Sequence, residues 1–168
     1  RGYWRIGADR TFGNTQSNYI SGTLDEAGAC LLFSADVVIG SRSVTLVGAV
    51  LGGPDHDTVD SSVRTLLASA VAGFSELTVP AGTVFGGYAT RWDATAQAVT
   101  AEAATFLVWG PEAVGAAPAL DAVVTAAAGD AVGSVTLSTP RETAEVPLVL
   151  DAALPDPGAE WRWTHPGR

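Results

Sequence analysis

The chain has 168 residues, of which 47% are hydrophobic and 16% charged, a composition that excludes intrinsic disorder and suits one ordinary domain with or without a small appendage. Its formal net charge of -9 would repel a nucleic-acid backbone and an anionic membrane, so we expect neither as a partner. All nine basic residues are Arg. The absence of Lys excludes Schiff-base chemistry, a P-loop lysine and a Ser–Lys nucleophile pair within this chain.

The single cysteine, Cys30, excludes an internal disulfide and a multi-cysteine metal site. It lies within an apolar strand pattern, so we expect a buried and unreactive thiol. No apolar segment reaches the roughly 18 residues that a membrane-spanning helix needs, and we expect no transmembrane segment. No signal peptide is present, so an exported form would already have lost its leader. We also expect no metal ion and no cofactor.

The first 18 residues are polar and irregular, and we expect a loop there with a short strand at Tyr3–Ile6. Two apolar segments follow, at residues 28–38 and 44–52, and Gly40-Ser41-Arg42 separates them. Short segments of this kind around a glycine-containing turn predict a β-hairpin whose strands are buried on one face or on both.

A helix is predicted over residues 57–74, after the break at Gly52-Gly53-Pro54. Its start is expected to be capped by Asp57, with Asp60 adding negative charge to the first turn. Apolar residues recur at helical spacing and form one stripe: Val59, Val63, Leu66, Leu67, Ala70, Val71 and Phe74.

After residue 75 the sequence consists of short alternating segments rich in Ala, Val, Thr and Gly. Strands are predicted at residues 77–79, 83–85, 98–101, 105–109, 122–126, 134–137 and 146–150. Short strands at this spacing are typical of a small β-sandwich or barrel. The fold class is therefore predicted to be α+β, with antiparallel strands and a helix followed by a small β-rich domain over residues 76–168.

Two groups of residues allow both a chemical and a structural interpretation. His56 lies between Asp55 and Asp57, a grouping that could serve an acid–base or metal-dependent hydrolase, although acidic residues are also expected before a helix. His56 and His165 have no spaced carboxylate partners, so they do not form a zinc signature. The tryptophans could line a binding groove or serve in packing.

The order of motifs from residue 20 onward resembles the C-terminal part of penicillin-binding D-alanyl-D-alanine carboxypeptidases of the serine peptidase S11 type. In that family a strand beside the active site carries Lys-Thr-Gly or Lys-Ser-Gly, and Ser21 and Gly22 match the second and third positions. The turn Asp25-Glu26-Ala27-Gly28, the strand at 47–52 and the helix match the family's next elements in chain order. Segments similar to the C-terminal extension of actinobacterial members occur at 80–84, 129–133, 146–148 and 161–167.

This resemblance implies that residues 1–75 form the end of a penicillin-binding/β-lactamase-like domain, but the sequence departs from the family at its catalytic groups. Ile20 occupies the lysine position and supplies no positive charge. The family's Ser-x-x-Lys and Ser-x-Asn motifs do not occur, and loss of a nucleophile lowers the rate by many orders of magnitude. We therefore expect no catalytic residue in this chain and a degenerate substrate-binding segment formed by Ile20, Ser21, Gly22 and Thr23.

The resemblance implies a D-Ala-D-Ala carboxypeptidase-like cell-wall protein, of which this chain is the non-catalytic C-terminal part or a degenerate relative. The alternative is an extracytoplasmic binding or structural module that contacts peptidoglycan or a protein partner without catalysis. In either case we expect a secreted or cell-wall location and an actinobacterial source. An isolated sheet of this kind would leave an apolar face and an edge exposed, so we expect a second chain or an N-terminal half to complete it.

Overall fold

The computed structural model describes residues 3–8, 16–24 and 28–165. Its described residues form antiparallel strands with two helices, which confirms the predicted α+β class. The chain divides into two compact units, residues 1–76 and 77–168, each described below by itself. The assignment of the first unit to a penicillin-binding-like domain stays a prediction.

The first unit is built on a four-stranded antiparallel sheet in which the strands lie in sequence order. The strands are β1 (Tyr3–Ala8), β2 (Gln16–Leu24), β3 (Gly28–Ile39) and β4 (Arg42–Gly53). Strand β2 therefore begins within the segment predicted to be a loop.

The predicted hairpin is formed by β3 and β4 and turns at Gly40-Ser41. Gly40 has a φ of 58°, a backbone conformation that a two-residue hairpin turn requires and that glycine adopts without strain. Along β3, alternate residues from Ala29 to Val37 are buried, whereas Leu32, Asp36 and Val38 are exposed. Apart from Cys30 near the start of β3, the hairpin is thus buried on one face, the first of the two alternatives that its sequence left open.

Helix α1 (His56–Ala72) covers the buried face of the sheet. Its apolar stripe packs through Val59, Val63 and Leu67 on the buried residues of β3, while Leu66 is about half exposed. The cap is Asp55 rather than Asp57, because the Asp55 carboxylate accepts the Thr58 backbone N–H at 2.7 Å. Asp57 lies inside the first turn, so the prediction that it caps the helix was wrong by two residues.

The second unit contains a five-stranded antiparallel sheet in the order β6-β7-β11-β10-β9 and a separate pair, β5 and β8. The strands are β5 (Phe74–Val79, which begins in the first unit), β6 (Val84–Ala89), β7 (Thr95–Thr100), β8 (Ala104–Trp109), β9 (Gly115–Leu120), β10 (Ala131–Ser138) and β11 (Thr143–Leu150). A short helix, α2 (Gly158–Thr164), follows.

The five-stranded sheet curls until its two end strands approach each other. The Tyr88 hydroxyl on β6 donates to the backbone carbonyls of Asp121 and Val132 at 2.9 and 3.1 Å, next to β9 and on β10. Inside the curled sheet lies a core that includes Phe106, Leu148 and Leu150, each at most 2% exposed. This arrangement confirms the prediction of a β-rich second part of the chain.

One predicted strand of the second unit was wrong. Residues 122–126 form no strand, and Ala126 exchanges two backbone hydrogen bonds with Leu154 as an isolated bridge. The strand at this position in the chain is instead β9, whose sequence Gly-Ala-Ala-Pro-Ala-Leu is poor in the β-branched residues on which strand prediction depends.

Candidate functional site

The segment Ile20–Thr23, predicted to be a degenerate substrate-binding motif, lies on β2, an interior strand of the first sheet. Ile20 is opposite Ile6 of β1 and Leu32 of β3, and Ser21 is opposite Arg5 and Leu31. Since β2 forms a ladder on both sides along this segment, its backbone N–H and C=O groups are already used in the sheet. A peptide therefore has no free edge beside the motif on which to add as a further strand.

Ser21 lies on the face of the sheet that α1 covers. Directly opposed residues of antiparallel strands share a face, and Leu31, opposite Ser21, is 3% exposed and belongs to the core under α1. Ser21 is half-buried, and Gly22 is buried opposite Cys30. A hydroxyl in this place is partly shielded from water, which strengthens any hydrogen bond that it makes.

The other parts of the sequence-predicted site are described less fully. For Ile20 and Thr23 the structure gives the backbone pairing. The turn residues Asp25, Glu26 and Ala27 lie outside the described residues. The substrate-binding role assigned to Ile20–Thr23 stays a prediction.

Sequence reasoning missed Arg5, the basic residue that β1 places opposite Ser21. A short strand was expected at Tyr3–Ile6, but nothing in a single sequence pairs that strand with β2 across the intervening segment.

The Asp55-His56-Asp57 group serves to start α1. The two carboxylate oxygens of Asp55 accept the Thr58 backbone N–H and the Thr58 hydroxyl, at 2.7 and 3.0 Å. These bonds hold the pKa of Asp55 below its usual value. The bond from the Thr58 backbone N–H is the main cause, and the bond from the Thr58 hydroxyl is the second. Within residues 3–8, 16–24 and 28–165, no three His, Cys, Asp or Glu side chains are grouped so that they could hold a metal ion. These contacts favour the capping interpretation over the hydrolase.

Cys30 is 9% exposed, and its Sγ lies 3.6 Å from the carbonyl oxygen of Gly28. The predicted burial of the thiol is therefore confirmed.

In the second unit, a surface cavity of about 420 Å³ lies beside β6 and β7, lined by Gly87, Tyr88, Thr95, Ala96, Gln97, Asp151 and Ala152. Two of its side chains take part in the fold of the unit. Asp151 Oδ1 accepts the Gln97 backbone N–H at 2.6 Å, and the Tyr88 hydroxyl donates to the Asp121 backbone carbonyl at 2.9 Å.

Two tryptophans of the second unit pack against other aromatic rings, and Trp163 is exposed. The Trp92 and Trp161 rings meet edge to face with centroids 5.8 Å apart, and His165 stacks on Trp161 at 4.7 Å. Trp163 is 84% exposed on α2. Packing therefore accounts for Trp92 and Trp161.

No protein-family model matches the sequence, and no curated protein is similar to it. Among solved structures, the chain is similar to the D-alanyl-D-alanine carboxypeptidase DacD from Francisella tularensis, at 18% sequence identity and a TM-score of 0.34. The superposition covers 81% of this chain and 35% of that enzyme, so the chain spans about a third of the enzyme's length.

The helices in the described part of the chain are too short or too polar to span a membrane.

Proposed function

We propose that the chain is the non-catalytic C-terminal part, or a degenerate relative, of a D-Ala-D-Ala carboxypeptidase-like protein of the cell wall. The observation that carries this proposal is the position of Ser21 and Gly22 on β2, paired with β3 and followed in order by the β3–β4 hairpin and α1. The motif strand, the next two strands and the helix thus occur in the order that the sequence resemblance implies. On this proposal residues 1–75 are the end of a penicillin-binding-like domain, and residues 76–168 are a β-rich C-terminal domain.

Two features support the absence of catalysis by this chain alone. Ile20 replaces the family's lysine, and the sequence has no Lys at any position. In addition, the ladders with β1 and β3 occupy both edges of β2 along the motif. A nucleophilic serine needs a neighbouring base or cation to become reactive, and the motif supplies none.

Labelling with a fluorescent penicillin tests this proposal. We expect no covalent adduct on the 168-residue chain under conditions in which an active D-Ala-D-Ala carboxypeptidase is fully labelled. An adduct that survives denaturation, and is lost on replacing one serine by Ala, would show that the chain contains a nucleophile and would refute the absence of catalysis.

Replacing Ile20 by Lys tests the assignment of the motif. If Ile20 occupies the lysine position, Ile20→Lys should raise the affinity for N-acetyl-D-Ala-D-Ala about tenfold, the effect of one charge-assisted hydrogen bond. No covalent adduct should appear, because the nucleophile is still missing. The matched control is Val38→Lys, which adds the same charge at a 73% exposed position of β3. Equal affinities of the two variants in an NMR titration would contradict the assignment.

The second candidate is an extracytoplasmic module that binds peptidoglycan or a protein without ancestral chemistry. The pairing of β2 on both sides favours it, because a peptide cannot add to the motif strand. Sedimentation with purified peptidoglycan distinguishes the two candidates. Binding that N-acetyl-D-Ala-D-Ala displaces supports the first, and binding that this peptide leaves unchanged supports the second.

A further inference from the structure

Residues 156–165 contain α2 and are held together by bonds within the segment itself. The Asp156 carboxylate accepts the Gly158 backbone N–H at 2.8 Å and forms an ion pair with Arg162. Among the residues that the structure describes, none outside the segment forms a hydrogen bond or an ion pair with it. Helix α2 also buries none of its residues. The segment is therefore organised locally and depends little on the rest of the second unit.

The chain is anchored directly before this segment. Leu154 is 1% exposed and exchanges two backbone hydrogen bonds with Ala126, at 2.9 and 3.1 Å. Pro155 follows, is exposed, and has no backbone N–H with which to bond. Since a hinge needs only a few residues that absorb a change in backbone angles, the connection between Leu154 and Asp156 is where the segment can turn.

Two tryptophan rings hold the segment in place. Trp161 of α2 meets Trp92 edge to face, with ring centroids 5.8 Å apart, and Trp92 lies in the turn between β6 and β7. His165 stacks on Trp161 at 4.7 Å, so it helps to fix the orientation of this ring. A contact between two aromatic rings shifts an equilibrium by about two- to tenfold beyond the area that it buries.

The closed arrangement leaves one polar group unsatisfied. The Trp92 indole Nε1 is buried, and no atom in the described part of the chain accepts a hydrogen bond from it. A buried donor without a partner favours any state in which water reaches it, by about tenfold or more. The contact that holds the segment therefore carries a cost that opening would remove.

We propose that residues 156–165 form a flap that turns at Pro155, is latched by Trp161 on Trp92, and opens to uncover the Trp92 indole while the five-stranded sheet stays folded. This goes beyond the proposed function, because the flap requires no carboxypeptidase chemistry. Opening breaks the contact between the two rings but no hydrogen bond of the sheet. Regions with few buried contacts open at a lower free energy than the core, so the flap opens far more often than the unit unfolds.

Hydrogen exchange of the Trp92 indole N–H, followed by NMR on the 168-residue chain, tests the proposal. The reference is the Leu150 backbone N–H, which donates to the Asp130 carbonyl at 3.0 Å in a residue that is 2% exposed. After correction for intrinsic rates, we expect the Trp92 indole to exchange at least about a hundredfold faster than Leu150. Equal protection of the two groups would overturn the proposal, because the indole would then be uncovered only by unfolding.

Substitution of the latch tests how the flap is held. Trp161→Ala removes the ring contact and should raise the exchange rate of the Trp92 indole by about tenfold, while Leu150 exchanges as before. The matched control is Trp163→Ala, which removes the same kind of ring from a position of α2 that is 84% exposed, and both rates should stay unchanged. An unchanged Trp92 rate in Trp161→Ala, or an equal rise at Leu150, would overturn the assignment of Trp161 as the latch.

Discussion

Arg5 on β1 lies directly opposite Ser21 on β2 in the register of the first sheet. Arginine is charged at all physiological pH values. The register therefore pairs Ser21 with a basic residue from a strand outside the segment Ile20–Thr23.

A ligand carboxylate held at Ser21 should consequently depend on Arg5. We expect Arg5→Gln to weaken the binding of N-acetyl-D-Ala-D-Ala by about tenfold, the loss of one charge-assisted hydrogen bond. The measurement is an NMR titration, with Arg141→Gln in the second unit as the control for the change in net charge. Equal affinities of the two variants would show that Arg5 takes no part in binding.

The N-cap of α1 should make the first unit sensitive to acid. The bonds from the Thr58 backbone N–H and hydroxyl hold the pKa of Asp55 below its usual value of 3.8. A carboxyl with a lowered pKa in the folded state stabilises that state above the unfolded pKa, and the stabilisation is lost as pH falls through the folded value. The melting temperature should therefore decrease more steeply below about pH 4 in the wild type than in Asp55→Asn.

The Asp55→Asn variant separates charge from capping, because its side-chain oxygen still accepts the Thr58 N–H. Asp55→Ala removes both the charge and the capping oxygen, and it should lower the melting temperature at neutral pH by a few degrees. Asp57→Ala should change it less, because Asp57 lies inside the helix and does not cap it. If Asp57→Ala had the larger effect at neutral pH, the assignment of the cap would be wrong.

Periodicity in the sequence was sufficient to predict the β3–β4 hairpin and α1, because both depend on local signals. The Gly40-Ser41 turn and the Val59, Val63 and Leu67 stripe are each contained within a few residues. The cap was misplaced because Asp55 and Asp57 have the same chemistry, and only the hydrogen bond to Thr58 distinguishes them.

Features that depend on distant pairing could not be predicted. Nothing local to Arg5 indicates that it lies opposite Ser21, and nothing local to Gly115–Leu120 indicates that this alanine-rich segment pairs with β10. The substrate-binding role of Ile20–Thr23 stays a prediction, and the residues that lie opposite this segment became visible only through the register of the sheet.

Thr100 is a buried hydroxyl whose removal should destabilise the second unit. It is 2% exposed, donates to the Pro80 carbonyl at 2.8 Å and accepts the Thr83 backbone N–H at 3.0 Å. Thr100→Val keeps the shape but leaves both groups without this partner, which should lower the free energy of unfolding by about 1–3 kcal/mol. Urea denaturation measures the loss. Thr100→Ser keeps the hydroxyl and should recover most of the difference, whereas a loss in Thr100→Ser without a loss in Thr100→Val would instead indicate packing of the methyl group.

The contact between Gly53 at the end of β4 and Val59 of α1 fixes how closely the helix approaches the sheet. A Cβ on Gly53 would overlap Cγ2 of Val59, which is 2% exposed. Gly53→Ala should therefore lower the free energy of unfolding by about 1–3 kcal/mol through overpacking. In the double variant with Val59→Ala the overlap is absent. The free energy of unfolding lost in the double variant should therefore be smaller than the sum of the two single losses, by about 1 kcal/mol.

Gly87→Ala is the matched control for that measurement, since its added Cβ would meet its nearest neighbour, the Ala96 carbonyl oxygen, at 3.9 Å. The control should leave stability unchanged or raise it slightly, because alanine restricts the unfolded chain more than glycine does. Urea denaturation of Gly53→Ala, Val59→Ala, the double variant and Gly87→Ala measures each loss in the free energy of unfolding and the coupling between the first two. Strict additivity of Gly53→Ala and Val59→Ala would mean that the loss in Gly53→Ala does not come from the overlap with Val59, and this close approach would then not be a constraint on the fold.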